Sequence, residues 1–452
     1  MEQPVAVILA AGLGTRMNSD LPKVLHPLGG RPMLWYPLEA ARRAGVTRVV
    51  LVVGKDSAAI RRAFGPPVRY AVQRRPLGTG HAAAQALPRL RGRRLAYVTY
   101  ADMPLVSAET LRALRAALRA PAVAVALATG VANEDHHFGR ILRDEAGRFQ
   151  RIVEDRDATP EERAVREVNV GVYCFRVPAL VRVLRQVRPN NRQREYYLPD
   201  AVNLLAAEGA GVVTVGVADP DEMIGINSRE ELAQAGSAVR RRILGAIMAS
   251  GVTVIDPEST FIDGTVRLGR DTVVHPMTVI TGTTVVGEHC VIGPGARIEN
   301  SVVGDRARIH DSSVEGARVG SGTVVGPYAH LRPGTVVGRN VEIGNYAEMK
   351  QVRVGDRTKV HHKSYLGDAR IGADVNIGAG TITCNYGPDH RKRRTTIGDG
   401  AYIGSDSMLV APVRIGRGAI TGAGAVVTRN VPPRSVAVGV PARVIRVLDH
   451  KR

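Results

Sequence analysis

The sequence is poor in aromatic side chains (4%, with one tryptophan), in cysteine (three) and in lysine (seven of 62 basic residues). It also has no apolar run of eighteen residues. The shortages of aromatic rings, of cysteine and of long apolar runs each remove a class of protein. Without the long run no segment reads as a bilayer-spanning helix. The first residues lack the basic start and apolar stretch of an export signal, so a soluble, cytoplasmic protein is expected. Cys174, Cys290 and Cys384 stand far apart with no CxxC, which indicates neither a disulfide framework nor a zinc site. A formal charge of +20 would suit nucleic acid, but the arginines are dispersed and few aromatic rings exist to stack bases. No nucleic-acid and no membrane partner is therefore expected. What remains is a chain of 452 residues, too long for one ordinary core, so two or three domains are expected.

What is present begins at residue 6. An apolar strand, Ala6 to Leu9, runs into Ala10-Ala11-Gly12-Leu13-Gly14-Thr15-Arg16-Met17, and Pro22-Lys23 follows. Small residues let the backbone approach a bulky anion, whose oxygens the bare N–H groups can solvate, while Arg16 and Lys23 supply charge. No Gly-Lys-Ser/Thr follows, so this is not a P-loop, and the three-glycine dinucleotide spacing is missing. Up to about residue 227, short apolar strands (Val49 to Val53, Leu95 to Thr99, Val123 to Ala128, Val170 to Phe175) alternate with helical patterns (Thr110 to Arg119, Ala179 to Gln186). Such alternation predicts an α/β domain, Rossmann-like with a mostly parallel sheet, whose ligands sit at the carboxyl ends of the strands. Asp102, just past the strand Leu95 to Thr99, stands where a magnesium ligand would, or else caps a helix. A second Gly-rich turn brings Gly78 and Thr79 near Gln73, whose amide can read a base edge.

From about residue 260 the period changes to six. Leu268, Val274, Ile280, Val286, Ile292 and Ile298 fall six apart, and the pattern resumes from Val319 to Met349, Val354 to Leu366, Ile371 to Thr383 and Ile397 to Val427. Neither a helix nor a flat sheet has this period. A three-sided coil does, with one aliphatic residue inward per short strand, and this predicts an all-β left-handed parallel β-helix of hexapeptide repeats. The phase breaks near Arg297 to Val303, Asp311 to Val319 and Cys384 to Ile397 are expected to be loops pushed out of the coil. Ser228 to Ser250 reads as a helical arm between the halves, giving domains at 1–227 and 251–452 with a linker at 228–250. His361 and His362 are adjacent on a strand, so at most one faces a given site, which disfavours zinc. The basic run Arg391 to Arg394 in the last break either reaches a phosphate or is solvated.

The opening signature with its lysine resembles that of the sugar-nucleotide pyrophosphorylases. The order of Leu77 to Ala82, Tyr100 to Leu105, Gly139 to Ile141, Ile152 to Glu154, Val168 to Gly171, Glu195 to Asp200 and Gly225 to Asn227 sharpens this. So does the string Asn376 to Tyr386 in the second half. Together they resemble the bifunctional bacterial family that joins N-acetylglucosamine-1-phosphate uridyltransferase to glucosamine-1-phosphate N-acetyltransferase. By that resemblance Leu9, Ala10, Ala11, Gly12, Lys23, Gln73, Gly78, Thr79, Tyr100, Ala101 and Asp102 contact UTP or the UDP-sugar, with Arg16 and Lys23 assisting transfer. Gly139, Glu154 and Asn169 hold the sugar, and Asp102 with Asn227 hold magnesium. His362 becomes the general base of acetyl transfer. Arg332 and Lys350 bind the sugar phosphate, and Tyr365, Asn376, Asn385 and Tyr386 position the amino sugar, the last two against acetyl-CoA. Ala379, Ser405 and Ala423 line the acetyl-CoA site. The implied substrates are UTP, glucosamine 1-phosphate, N-acetylglucosamine 1-phosphate and acetyl-CoA, and the implied assembly is a homotrimer. Two features depart from the family: Gly387-Pro388 follows Tyr386 where Asp-Gly is usual, and Val440 stands where a CoA-binding arginine is usual, leaving Arg443 as a candidate. The alternatives are a uridyltransferase that uses the β-helix only to trimerise, and a non-enzymatic sensor of nucleotide sugars.

Overall fold

The computed structural model describes residues 4–12, 14–55, 57–132 and 137–448. Leu13 of the glycine-rich signature lies outside them. The chain divides into two compact units, Met1–Val239 and Arg240–Arg452. The division falls inside the helix Arg229–Ala249, the segment that the sequence sets apart as an arm.

The first unit is built on a nine-stranded sheet. Strand Val5–Ala10 is central and buried throughout, with Arg48–Val53 and Leu95–Tyr100 parallel on either side. Arg69–Val72 extends one edge, and Val123–Val131 pairs with Gly211–Gly216, both in parallel. The apolar runs of these strands bury two faces, one against the helices Val177–Leu184 and Leu198–Ala207, the other against Ala108–Ala117. The strand expected at Val170 to Phe175 is present as Glu167–Arg176, but it runs antiparallel to both neighbours. The hairpin Arg140–Arg143 and Phe149–Val153 precedes it. No long crossover helix is therefore needed to bring the chain back. Helix limits differ from the sequence expectation by about two residues, because ends are set by caps; Ser107 Oγ, for example, accepts from Thr110 N–H at 3.0 Å and starts Ala108–Ala117.

The second unit is a coil with three sheets of 12, 10 and 9 strands as its faces, parallel except for the pair that ends the first. Inward positions stack in columns: Ile280, Ile298, Val314, Leu331, Met349 and Leu366 succeed one another in register, each at most 1% exposed. Burying each aliphatic side chain is worth about 1.5–3 kcal/mol, so the ladder itself is the core. Buried threonines stitch one corner to the next. Thr358 Oγ1 donates to the Gly372 carbonyl at 2.8 Å and accepts from Val375 N–H at 3.2 Å. Thr323 does the same with Gly338 and Val341, and Thr272 with Gly287 and Cys290.

Two of the three expected loops are not loops. Arg297–Glu299 and Val302–Val303 are consecutive strands, as are Ser313–Glu315 and Arg318–Val319. The coil continues through both places with a corner shortened by one residue, turned by Asn300 (φ 46°) and Gly316 (φ 51°) in the left-handed region. Only the third break leaves the coil. Its excursion runs from the end of Ile382–Cys384 to the start of Thr395–Ile397, bridged by Tyr386 with Lys392 and by the ion pair Arg393–Asp389 at 2.6 Å.

Candidate functional site

Chemistry-bearing residues gather at one place in each unit. In the first, the chain order reverses between the strands Val5–Ala10 and Leu95–Tyr100, and the crevice outside such carboxyl ends takes ligands in open α/β sheets. The two strand ends are tied: Ala101 N–H donates to the Leu9 carbonyl at 2.9 Å. Leu9 and Ala10 are buried, Ala11 is half-buried and Gly12 is exposed. A Cβ on Gly12 would meet nothing within 4 Å, so this backbone faces open space. Arg16 is exposed on the short helical turn Thr15–Met17.

Lys23 lies deeper. Its Nζ donates to Asp102 Oδ2 at 2.5 Å and to Asn227 Oδ1 at 3.0 Å, and its side chain is 9% exposed. Asp102 follows the strand Leu95–Tyr100 and is half-buried. Asn227 is positioned by a reciprocal helix cap. Glu231 Oε2 accepts from Asn227 and Ser228 N–H at 2.6 and 2.8 Å, and Ser228 Oγ accepts from Glu231 N–H at 3.1 Å. Among the described residues no group of three or more His, Cys, Asp or Glu could hold a metal. Asp102 and Asn227 instead offer two hard oxygens. That fits magnesium, which keeps waters and phosphate oxygens for the rest of its shell.

Gln73 is buried, with Nε2 on the Gly78 carbonyl at 3.0 Å and 3.0 Å from His81 Nδ1. Its Oε1 is the end left for a ligand. Gly78 sits at φ 104°, where a Cβ would come within 2.6 Å of the Tyr196 carbonyl. Thr79 Oγ1 accepts from Leu198 N–H at 3.0 Å, and burial pushes the Tyr100 hydroxyl pKa upward. A bulge in Glu167–Arg176 between Asn169 and Tyr173 brings these residues together. Asn169 donates to Tyr173 Oη at 2.7 Å and accepts from Gly171 N–H at 3.1 Å. Asn169 N–H donates to the Gly139 carbonyl at 2.8 Å, and a Cβ on Gly139 would lie 3.2 Å from Glu154 Oε1. Burial, with Asp200, Asp157 and Asp155 nearby, pushes the Glu154 carboxyl up to about 7. Burial and Asp157 push Asp200 up to about 6. Sequence reasoning assigned no role to His81 or Asp200; the latter could have been found as the acid in the first turn of the helix Leu198–Ala207.

In the second unit one edge of the coil carries a vertical row. His362 stands two residues past the inward Val360, and Ala379, Ser405 and Ala423 stand two past Ile377, Ile403 and Thr421, which succeed Val360 in register. The neighbouring face carries Arg332 and Lys350, each next to an inward residue of the column Leu331–Met349, and Tyr365 in register with Glu348. Asn376, beside Ile377, lies in register with Lys359 one turn earlier, on the same face as His362. The two histidines diverge as expected of a strand. His361 Nε2 is 2.8 Å from Glu342 Oε2, whereas His362 is exposed and its ring nitrogens have no hydrogen-bond partner among the described residues. Arg332 pairs with Glu348 at 2.7 Å. Asn385 is buried and donates to Asp368 Oδ2 at 2.5 Å, and Tyr386 Oη is 2.7 Å from His390 Nδ1. Asp368, which follows Tyr365 and Gly367, was given no role from the sequence. Arg393 is held by Asp389, which removes it from the basic run as a free cation. Val440 is exposed in the turn between Ser435–Val438 and Arg443–Val447, the antiparallel pair that ends one face.

Residues 6–193 match the MobA-like NTP transferase domain, 262–345 the GMPPB C-terminal domain and 394–429 the bacterial transferase hexapeptide repeat. The chain is similar over nearly its full length to curated relatives called bifunctional protein GlmU. Identity is 47% to that of Pelobacter propionicus, covering 99% of this chain and 98% of the relative. It is 46% to that of Trichlorobacter lovleyi (96% and 95%) and 43% to that of Brevibacillus brevis (98% and 96%).

Proposed function

This chain belongs to the bifunctional GlmU family, and from that premise we propose how its two units divide the synthesis of UDP-N-acetylglucosamine. The enzyme acetylates glucosamine 1-phosphate with acetyl-CoA, then transfers uridylyl from UTP to the N-acetylglucosamine 1-phosphate so formed, releasing pyrophosphate. The observation that carries this reading is the similarity across both halves at once, with a nucleotidyltransferase match in one and a hexapeptide match in the other.

In the first unit a phosphate oxygen of the sugar attacks the α-phosphorus of UTP and pyrophosphate leaves. The attacking oxygen is already an anion, so no side chain need remove a proton; the protein positions and neutralises. The glycine-rich turn with Arg16 and Lys23 receives the triphosphate, Gln73 Oε1 accepts from the base, and Gly139, Glu154 and Asn169 take the sugar. Asp102 and Asn227 would hold magnesium, which when bound supplies positive charge against the triphosphate. In the second unit His362 accepts a proton from the amine as its nitrogen attacks the thioester carbonyl, and the CoA thiol leaves. Arg332 and Lys350 bind the sugar phosphate, while the row Ala379, Ser405 and Ala423 leaves small side chains along the path of acetyl-CoA. A stacked coil of this kind supports an oligomer, and the form proposed is a trimer in the cytoplasm.

Reciprocal variants test the division. His362→Ala should lose about 10²–10⁴-fold in acetyl transfer and keep uridyl transfer. Asp102→Ala should do the reverse. Loss of both activities in one folded variant would refute two separate sites.

A further inference from the structure

We propose that Lys23 is a resident counter-ion whose ammonium keeps the divalent cation out of the first unit's site until a triphosphate draws it away. The inference rests on the reading of Asp102 and Asn227 as the residues that hold the metal. Its geometry is direct. The ammonium bridges those same two oxygens, at 2.5 Å from Asp102 Oδ2 and 3.0 Å from Asn227 Oδ1. A cation set between two oxygen donors occupies the point where they converge.

The contact is built rather than casual. The Lys23 side chain is 9% exposed, and Asp102 has no other ion-pair partner among the described residues. The stem of the lysine is fixed by the helical turn Lys23–Leu25 and by Gly14, whose Cβ would lie 2.7 Å from Lys23 Cβ. The backbone of Asn227 is fixed by the Ser228–Glu231 cap, through its N–H on Glu231 Oε2. Partners held on both sides select one charge at one place.

An ammonium and a divalent cation cannot both sit on these oxygens, because like charges at contact repel strongly in a partly desolvated site. Binding of metal therefore requires the ammonium to move, and the triphosphate supplies the anion that receives it. Metal and nucleotide are then coupled through one side chain, and by linkage each strengthens the other.

The test reads metal binding without nucleotide and without turnover. Manganese(II) is titrated into the full-length protein and free ion is followed by electron paramagnetic resonance. Lys23→Met should bind manganese at this site about tenfold or more tightly than wild type, while Lys23→Arg should bind as weakly as wild type. Lys23→Gln gives the same reading should the methionine variant unfold. Binding in the neutral variants no tighter than in wild type would overturn the counter-ion role. Asp102→Ala added to Lys23→Met should abolish the gain. A gain that survives it would instead overturn the metal assignment on which the inference stands.

Discussion

Single residues carry consequences that a pH titration can read. Glu154 has an ordinary carboxyl value of 4.5 that the fold raises to about 7, chiefly by burial and then by Asp200, Asp157 and Asp155. As pH climbs from 4.5 to about 7, the unfolded chain ionises this group while the folded chain keeps its proton. The unfolded state then binds fewer protons, so stability falls through that window and levels off above it. Asp200 acts in the same sense between 3.8 and about 6. Glu154→Gln should remove its share, so the thermal midpoint of the variant should rise relative to wild type as pH goes from about 5 to about 8. A difference that does not change with pH would contradict the raised value. Glu154, Gly139 and Asn169 lie in three separate segments and were singled out only through the family resemblance. Their coupling to Asp200, from a helix some fifty residues on, was not legible, because desolvation is set by packing that no local pattern encodes. Lys23 was legible as a cation, but its engagement with Asp102 and Asn227 depends on three segments brought together by the sheet and a helix cap.

At the level of elements the period-six pattern gave away the coil, since only a three-sided stack returns one aliphatic residue inward at that spacing. Its phase breaks were less informative. A five-residue step such as Ile298 to Val303 looks in the sequence like an interruption, yet one left-handed corner at Asn300 absorbs it. The excursion between Ile382–Cys384 and Thr395–Ile397 is distinguished by its length alone. The antiparallel course of Glu167–Arg176 was equally hidden, because residues buried on both faces read alike in either direction. The threonine stitches make a prediction of their own. Thr358→Val keeps shape but strands the Gly372 carbonyl and the Val375 N–H, and should cost about 1–3 kcal/mol in the unfolding of the coil by denaturant. An unchanged midpoint would mean that water or a corner shift satisfies those groups.

Over the whole molecule, the surplus of positive charge is dispersed along the chain and part of it is paired. Many arginines pair locally along the coil, as Arg339 with Asp356 and Arg357 with Asp374. The molecule's work is two group transfers that share one intermediate, each in a unit with its own core and its own constellation. The most direct measurement supplies the purified chain with acetyl-CoA and glucosamine 1-phosphate, first without UTP and then with UTP and magnesium. Without UTP, N-acetylglucosamine 1-phosphate should accumulate with one CoA thiol released per sugar; with UTP it should be converted to UDP-N-acetylglucosamine and pyrophosphate. Failure to acetylate, with uridyl transfer to supplied N-acetylglucosamine 1-phosphate intact, would contradict the account and leave the coil a scaffold.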